Sequence, residues 1–322
     1  MGSREMKDTA VVAPKEKEVF WHDIEMQQME GFWYIESYMK PIAAFKSGFQ
    51  PRSDDILLTS IPKTGATWLM ALCHNILHPD VDENEDALTK MNPHELVPTL
   101  DALFLADQVQ EMLLQSGRTN RVFHTHVPYN CLPEAVKNSG CKIVHVARNP
   151  KDTLVSMWHF YHVLFKSDAS PNARFPLERV VESFCNGVVP YGPFYEHVVE
   201  YWEESKKRPQ EVLFLKYEEL CRDPKDQVRK LASFLGKPFS LDGDQGDAEL
   251  EKVLWRSSIG RLQNLEVNKN GIWELPNVPK STFFRKGTVG DWKNNLTPDM
   301  AQRIDEMTRL KLEGTGLSLD DF

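Results

Sequence analysis

The segment from Ile56 to Leu77 limits the possible folds of this 322-residue chain more than any other stretch. It begins with a short apolar run that ends at Pro62, and apolar residues return at helical spacing after Gly65. This pattern predicts a buried strand, a tight turn and a helix. The first amides of such a helix lack intrahelical partners, and the positive end of its dipole lies at the turn. A turn of this kind is suited to hold a phosphate or sulfate group.

The residues of this turn add polar groups to the predicted anion site. Lys63 contributes a cation, and Thr64 and Thr67 contribute two hydroxyls. An ordinary connection between a strand and a helix remains the alternative, since a glycine is common in such turns. The ATP-binding loop of nucleotide hydrolases is a poorer match, because its lysine follows a second glycine, whereas Lys63 precedes the only glycine of this turn, Gly65.

The chain carries no linker, internal repeat or low-complexity tract that would divide it. We therefore predict one α/β domain over residues 19–322, preceded by a flexible polar segment over residues 1–18. The net charge of −9 argues against general binding to nucleic acid or to an anionic membrane. An anion site must then be a local basic pocket on an acidic protein.

The cysteines and the N-terminal segment predict the compartment. Five cysteines, odd in number and widely spaced, favour reduced thiols over disulfides or a zinc site. The segment up to Val19 lacks the apolar core of a signal peptide, and the chain has no run of about 18 apolar residues. We therefore expect a cytoplasmic protein that is neither secreted nor membrane-spanning.

Three further short apolar runs alternate with helical patterns, which is the rhythm of a parallel sheet flanked by helices. The predicted strands are Arg121–Val127, Lys142–Ala147 and Val212–Lys216. The predicted helices are Asn92–Gln115, Pro224–Leu235 and Glu249–Trp255, one that starts at Pro150 and a last one that starts at Pro298. Asn149 and Thr297 are the predicted caps of the helices that start with these prolines. We expect Asn92–Gln115 to have no catalytic role. The sequence therefore predicts a mainly parallel central sheet.

Two histidines on the second predicted strand are candidates for acid–base chemistry. Alternation along a strand places His124 and His126 on the same face. An imidazole has the unperturbed pKa nearest to neutrality, so either ring could act as a general base. No third ligand in a recognisable motif accompanies them, so we expect no metal site. A buried histidine bonded to the backbone fits His124 as well as a functional role does.

Two basic groups lie at predicted loop positions far apart in the sequence. Arg148 follows the third predicted strand, and Ser156 comes two turns along the next helix. The run Arg285-Lys286-Gly287 follows a Pro- and Gly-rich stretch, Leu265–Phe284, that is either disordered or a lid. Together these residues could clamp a second phosphate, although each alone is more often a surface ion pair or a solvated loop.

These motifs resemble those of the cytosolic sulfotransferases of the plant type. The match runs from Gly31-Phe32-Trp33-Tyr34, through Pro62–Leu69, to Asp291-Trp292-Lys293, and so spans nearly the whole chain. The resemblance implies a single α/β domain that uses 3′-phosphoadenosine 5′-phosphosulfate (PAPS) as donor, without a metal. It implies that His126 is the catalytic base and that Lys63 steadies the departing phosphate.

The resemblance also implies which positions bind the donor and the acceptor. The donor-binding residues it implies are Lys63, Thr64, Gly65, Ala66, Thr67, Trp68, Arg148, Ser156, Tyr217, Ser257, Ile259, Leu262, Arg285, Lys286 and Gly287. Phe32, His124 and Phe160 are the candidates for acceptor binding. The acceptor itself stays open among flavonoids, other phenolics, hydroxylated hormones and steroids, and glucosinolate precursors.

The chain departs from the family pattern at several positions. His124 stands where vertebrate members carry a lysine, and we expect His124→Lys to keep activity and to change mainly its pH dependence. Ala66 replaces a commoner hydroxyl residue, and Ile259 stands where an aromatic often meets the adenine. The dimer motif of animal members is not recognisable in Lys293–Glu306, which predicts a monomer.

Two other classes compete with this interpretation. One is a P-loop kinase or ATPase, which would need magnesium, and the other is a catalytically silent nucleotide-binding protein. None of the predicted strands ends in an aspartate that could bind magnesium, which weakens the first. The presence of both Lys63 and His126 argues against the second.

Overall fold

The computed structural model describes residues 17–20, 24–79, 85–103, 120–165, 176–240, 242–273 and 277–319. Residues 1–16 of the predicted flexible segment lie outside these ranges. The strands of the described part are β1 (Lys17–Phe20), β2 (Ile24–Met29), β3 (Phe32–Ile35), β4 (Ile56–Thr59), β5 (Val122–Thr125), β6 (Lys142–Ala147), β7 (Val212–Lys216), β8 (Ile272–Trp273) and β9 (Val278–Pro279).

Helices separate these strands. They are α1 (Glu36–Gly48), α2 (Ala66–Leu77), α3 (Pro93–Leu96), α4 (Leu100–Leu103), α5 (Glu134–Lys137), α6 (Pro150–Leu164), α7 (Leu177–Cys185), α8 (Phe194–Lys207), α9 (Tyr217–Arg222), α10 (Pro224–Phe234), α11 (Gly243–Ser257), α12 (Ile259–Leu262), α13 (Glu266–Lys269) and α14 (Pro298–Leu312). Short 3-10 turns cover Ala87–Thr89, Tyr129–Cys131, Lys280–Phe283 and Asp291–Asn294. None of the helices described here is long and apolar enough to cross a membrane.

The central sheet contains the four predicted strands, in the order β5-β4-β6-β7, and all its neighbours are parallel. Leu57 of β4 pairs with Phe123 on one side and with Ile143 on the other. The α/β architecture predicted from the sequence is thereby confirmed. The strand predicted over Arg121–Val127 is shorter than expected, and His126 lies just beyond its carboxyl end.

Both faces of the central sheet are buried, which explains the continuous apolar runs of its strands. Leu57 and Ile143 belong to a core on one face, whereas Leu58 and Val144 belong to a core on the other. Helix α2 packs in the second core through residues such as Leu69 and Leu72. This packing fixes the turn between β4 and α2 at the edge of the sheet.

A small antiparallel sheet, β1-β2-β3, was not predicted from the sequence. The aromatic run Phe32-Trp33-Tyr34 forms most of β3, and all three side chains are buried in the core. The Tyr191 amide donates to the Trp33 carbonyl oxygen at 2.7 Å, which ties β3 to the loop before α8. The run is therefore part of the core rather than a cover over it.

Two predicted segments differ in detail from the structure. The helix predicted over Asn92–Gln115 consists, in its described part, of two single turns, α3 and α4, separated by Val97, Pro98 and Thr99. Pro98 cannot continue a helix because it lacks an amide proton; residues 104–119 lie outside the described residues. The stretch Leu265–Phe284 is ordered where it is described, and contains α13 and the hairpin of β8 with β9.

The basic loop that begins at Arg285, directly after the stretch Leu265–Phe284, is held by two buried aspartates. Asp152, in the first turn of α6, accepts hydrogen bonds from the amides of Gly290 at 2.7 Å and Trp292 at 3.0 Å. Asp291 accepts hydrogen bonds from Arg285 and Lys286, each at 2.5 Å. Although burial acts to raise it, these two cations hold the pKa of Asp291 well below its usual range. The loop is therefore fixed next to α6.

We predict that Asp152→Ala destabilises the fold, because it leaves two amides and the nearby Arg148 without their buried acceptor. The expected loss is roughly 2–4 kcal/mol in the free energy of unfolding, measured by urea denaturation. Asp54→Ala is the matched control, since the Asp54 side chain is exposed. Equal stability of the two variants would show that Asp152 does not anchor the loop.

Candidate active site

A cavity of about 510 Å³ opens at the carboxyl ends of the parallel strands, where open α/β sheets usually bind ligands. Most of the residues predicted to bind the donor, the acceptor or the transferred proton line this cavity. They are Lys63, Gly65, Ala66, Thr67, Trp68, His126, Arg148, Ser156, Phe160, Tyr217, Ile259, Leu262, Arg285, Lys286 and Gly287. Residues more than 200 positions apart in the sequence therefore line the same cavity.

The turn between β4 and α2 has the backbone that its sequence predicted. Gly65 has a φ of +121°, and a Cβ atom at this position would lie 2.8 Å from the Tyr217 ring. Only glycine fits such a position without strain. Helix α2 begins at the next residue, Ala66, so the amides of its first turn lie at the cavity wall.

The two threonines of this turn have different roles. The Thr64 side chain is fully buried, and its hydroxyl lies 2.9 Å from the carbonyl oxygen of Ile61 and 2.8 Å from that of Val146. Its single proton therefore serves the backbone, which corrects the prediction that Thr64 offers a hydroxyl to an anion. The Thr67 side chain lines the cavity, and its hydroxyl contacts His94 at 2.9 Å.

Lys63 has an unusual backbone and an unusual charge environment. Its φ of +73° is rare for a residue other than glycine, and such strained residues cluster at functional sites. Its ammonium group lies 4.1 Å from the centre of the Phe160 ring and 5.6 Å from that of Phe283. Burial, followed by repulsion from Arg148 and Arg285, lowers the pKa of Lys63 to about 7. An anion in the cavity would reverse this shift.

Arg148 and Arg285 each present a donor that no described protein group uses. The guanidinium of Arg148 stacks 4.4 Å from the Tyr217 ring and donates to the Thr288 carbonyl oxygen at 2.8 Å. The Nε atoms of Arg148 and Arg285 are buried without a partner among the described residues. Since buried donors are nearly always bonded, these two fit a bound anionic group.

One side of the cavity is lined by α12 and the basic loop. Gly287 has a φ of +67°, and a Cβ atom there would lie 2.5 Å from Ile259. Ser257, which was predicted at this border, is instead fully buried and accepts a hydrogen bond from Asn75 at 2.8 Å. It fixes the end of α11 and does not line the cavity.

His126 has the geometry of a base with a fixed tautomer. Its Nδ1 atom lies 2.8 Å from the Ser60 carbonyl oxygen, so Nδ1 carries the proton and Nε2 carries the lone pair. Burial lowers the pKa of His126, and the carboxylate of Asp101 opposes this effect. The ring therefore stays neutral and is able to accept a proton.

His124 differs from His126 although both lie on one side of the sheet, with ring centres 4.5 Å apart. Its Nε2 atom lies 3.1 Å from the Ser60 hydroxyl, and its Nδ1 atom lies 3.3 Å from the Thr99 hydroxyl. Burial and the neighbouring histidines hold the pKa of His124 well below its usual value. The expectation that His124 titrates near neutrality is therefore wrong, and His124 is not among the residues that line the cavity.

Much of the cavity wall is aromatic. Phe160 lines the cavity, whereas Phe32 lies in the core, with its ring perpendicular to that of His197. Besides Trp68 and Tyr217, the other aromatic lining residues are Tyr38, Tyr161, Tyr191, Trp273, Phe283 and Phe284. Within the described part of the chain, no group of three or more His, Cys, Asp or Glu side chains could hold a metal ion.

Comparison with known proteins agrees with this geometry. The family model described as a sulfotransferase domain matches residues 53–316. This chain belongs to the sulfotransferase domain family. Cytosolic sulfotransferase 5 of Arabidopsis thaliana is 40% identical over 293 residues, which cover 89% of this chain and 88% of the relative.

Two solved sulfotransferases share the fold at 28% identity. A putative steroid sulphotransferase of Arabidopsis thaliana has a TM-score of 0.74, with 96% of this chain and 94% of that chain covered. A mouse sulfotransferase complexed with PAP has a TM-score of 0.68, with coverages of 90% and 95%.

Two polar lining residues of this sulfotransferase, His94 and Asp101, were missed by the sequence analysis. Both lie in the stretch that was expected to have no catalytic role. The pair Asn92-Pro93 is a typical start of a helix, and Pro98 marks its end, so these residues could have placed His94 on a short helix. No local pattern indicates that either side chain faces the cavity.

Proposed function

We propose that this sulfotransferase transfers the sulfuryl group of PAPS to a hydroxyl of a small organic acceptor, with His126 as the base. The observation that carries the proposal is the convergence of Lys63, Arg148 and Arg285 on one cavity that His126 also lines. A cluster of cations beside a neutral imidazole suits the transfer of an anionic group to an oxygen that must lose a proton.

The donor occupies the basic side of the cavity. The turn from Lys63 to Trp68, with the first amides of α2, holds the 5′-phosphosulfate. Arg148, Ser156 and the loop Arg285–Gly287 hold the 3′-phosphate, a role that the unpartnered Nε atoms of both arginines support. PAP, as bound in the mouse relative, is the expected product.

The transfer is a direct in-line displacement. Nε2 of His126 takes the proton of the acceptor hydroxyl while the acceptor oxygen attacks sulfur and the bond from sulfur to the phosphate oxygen breaks. Lys63 stabilises the negative charge that develops on that phosphate oxygen. The proton thus ends on His126, and the sulfuryl group on the acceptor.

The acceptor is a hydroxylated molecule with a flat apolar body. Aromatic side chains such as Tyr38, Tyr161 and Phe283 suit ring systems, which keeps flavonoids, other phenolics, hydroxylated hormones and steroids, and glucosinolate precursors as candidates.

We further propose that residues 19–322 act as one domain, that the enzyme is a monomer, and that it is cytosolic, as the Arabidopsis relatives are named.

A kinase or ATPase and a silent nucleotide-binding protein are the alternatives. Transfer of label from PAPS to members of an acceptor panel, with magnesium removed by a chelator, tests all three. The proposal expects labelled sulfate esters without magnesium. Phosphate transfer from ATP would support a kinase, and binding of PAP without any ester formation would support a silent protein.

We predict that Lys63→Ala loses most turnover and also weakens donor binding. The ammonium group beside the bridging oxygen interacts with both the bound donor and the transition state, so both quantities fall. Steady-state kinetics and calorimetric titration with PAP measure them. Lys90→Ala, at an exposed lysine, is the control, and near-normal turnover of Lys63→Ala would remove Lys63 from the mechanism.

We predict that His126→Ala abolishes transfer and leaves PAP binding nearly intact, because a base removes a proton but does not hold phosphates. The expected loss in kcat is about 10²–10⁴-fold. His78→Ala serves as the control, since His78 is exposed at the end of α2. An active His126→Ala enzyme would mean that another group is the base.

We predict that Asp101→Asn shifts the pH profile of kcat/KM. Asp101 raises the pKa of His126, so removing its charge lowers that pKa further. Since the base must be unprotonated, the acidic limb moves to lower pH, and the plateau falls because the imidazole is a weaker base. A lower plateau with an unmoved limb would assign Asp101 a purely structural role.

A further inference from the structure

The contact between Thr67 and His94 joins the donor turn to a residue outside it. The Thr67 hydroxyl lies 2.9 Å from Nε2 of His94, and both side chains line the cavity. His94 is only 9% exposed. Its other ring nitrogen, Nδ1, is buried and has no partner in the described part of the structure.

The His94 ring is held firmly in place. Its backbone amide donates at 3.0 Å to the Asn92 side chain, which caps α3. The ring packs against Phe283, with centres 4.2 Å apart, and against Trp273 at 5.4 Å. Both aromatic residues belong to the stretch Leu265–Phe284, so that stretch and α3 together fix where Nε2 points.

The two neutral tautomers of His94 have opposite effects on Thr67. Burial, followed by repulsion from Lys63 and His126, lowers the pKa of His94 to about 3, so the ring is neutral. With its proton on Nδ1, the ring would bury an unbonded N–H, and the Thr67 hydroxyl would donate to Nε2. With its proton on Nε2, the ring donates to Thr67, whose own proton is free to bond to an anion.

We propose that His94 is a positioning residue that donates from Nε2 to the Thr67 hydroxyl and so directs the proton of this hydroxyl at the phosphosulfate. The Nε2 tautomer avoids an unbonded buried donor and leaves only a lone pair on Nδ1. It also turns Thr67 into a donor on the side where the ligand is negative. This inference rests on the proposed donor site.

The test is a double-mutant cycle on the affinity for adenosine 3′,5′-bisphosphate, measured by calorimetry. His94→Phe keeps the ring but removes the donor, and we expect about fivefold weaker binding; Thr67→Val removes the hydroxyl, with an expected loss of about tenfold. Because His94 acts through Thr67, the double variant binds within about twofold of Thr67→Val alone.

His94→Gln separates positioning from packing. A glutamine amide nitrogen reaches nearly the same place as Nε2, so this variant loses less affinity than His94→Phe. Urea denaturation of each variant shows whether it is folded. If His94→Phe does not fold, the affinity of His94→Gln still decides the test.

Three results would overturn the inference. The first is an unchanged affinity of His94→Phe for the bisphosphate. The second is a double variant whose loss of affinity equals the product of the losses in the two single variants. The third is a His94→Gln variant that binds no better than His94→Phe. A wild-type enzyme that does not bind the bisphosphate would instead contradict the donor site itself, which keeps the two failures distinguishable.

Discussion

Lys63, Arg148 and Arg285 are gathered around one cavity, and their mutual repulsion is the constraint on which the rest of the structure depends. Burying cations together is costly unless an anion or a carboxylate compensates them. Asp152 and Asp291 compensate the arginines from outside the cavity, at Arg148 and Arg285. Lys63 instead lies close to the rings of Phe160 and Phe283. The cavity is thus left with unbalanced positive charge, which suits a donor that carries two anionic groups.

The parallel sheet is what brings these groups together. Strands β4, β5, β6 and β7 deliver Lys63, His126, Arg148 and Tyr217 to the same edge, because parallel strands end on one side. His126 lies on that edge too, with its tautomer fixed by the Ser60 carbonyl oxygen. The turn at Gly65, the basic loop and His126 are therefore parts of one arrangement rather than independent motifs.

The strands, the turn at Gly65 and most of the lining residues could be predicted, because apolar periodicity and turn chemistry are local signals. The direction in which individual side chains point could not be predicted. Thr64 and Thr67 look equivalent in sequence, yet a carbonyl oxygen of β6 takes the Thr64 hydroxyl. Likewise, His124 and His126 both contact Ser60, and tertiary contacts such as that of His124 with the Thr99 hydroxyl distinguish them. His94 and Asp101 lie in a segment whose sequence shows mixed periodicity, so nothing local pointed to the cavity.

The charge of Lys63 gives the most direct test of this account. Its pKa is about 7 in the protein alone, and a bound anion must raise that pKa, so binding at pH 8 must take up a proton. Calorimetric titration with adenosine 3′,5′-bisphosphate in buffers of different ionisation enthalpy measures this uptake. The account predicts an uptake approaching one proton per bisphosphate at pH 8, which disappears at pH 5.5 and in Lys63→Met. A binding enthalpy that is the same in every buffer at pH 8 would contradict it.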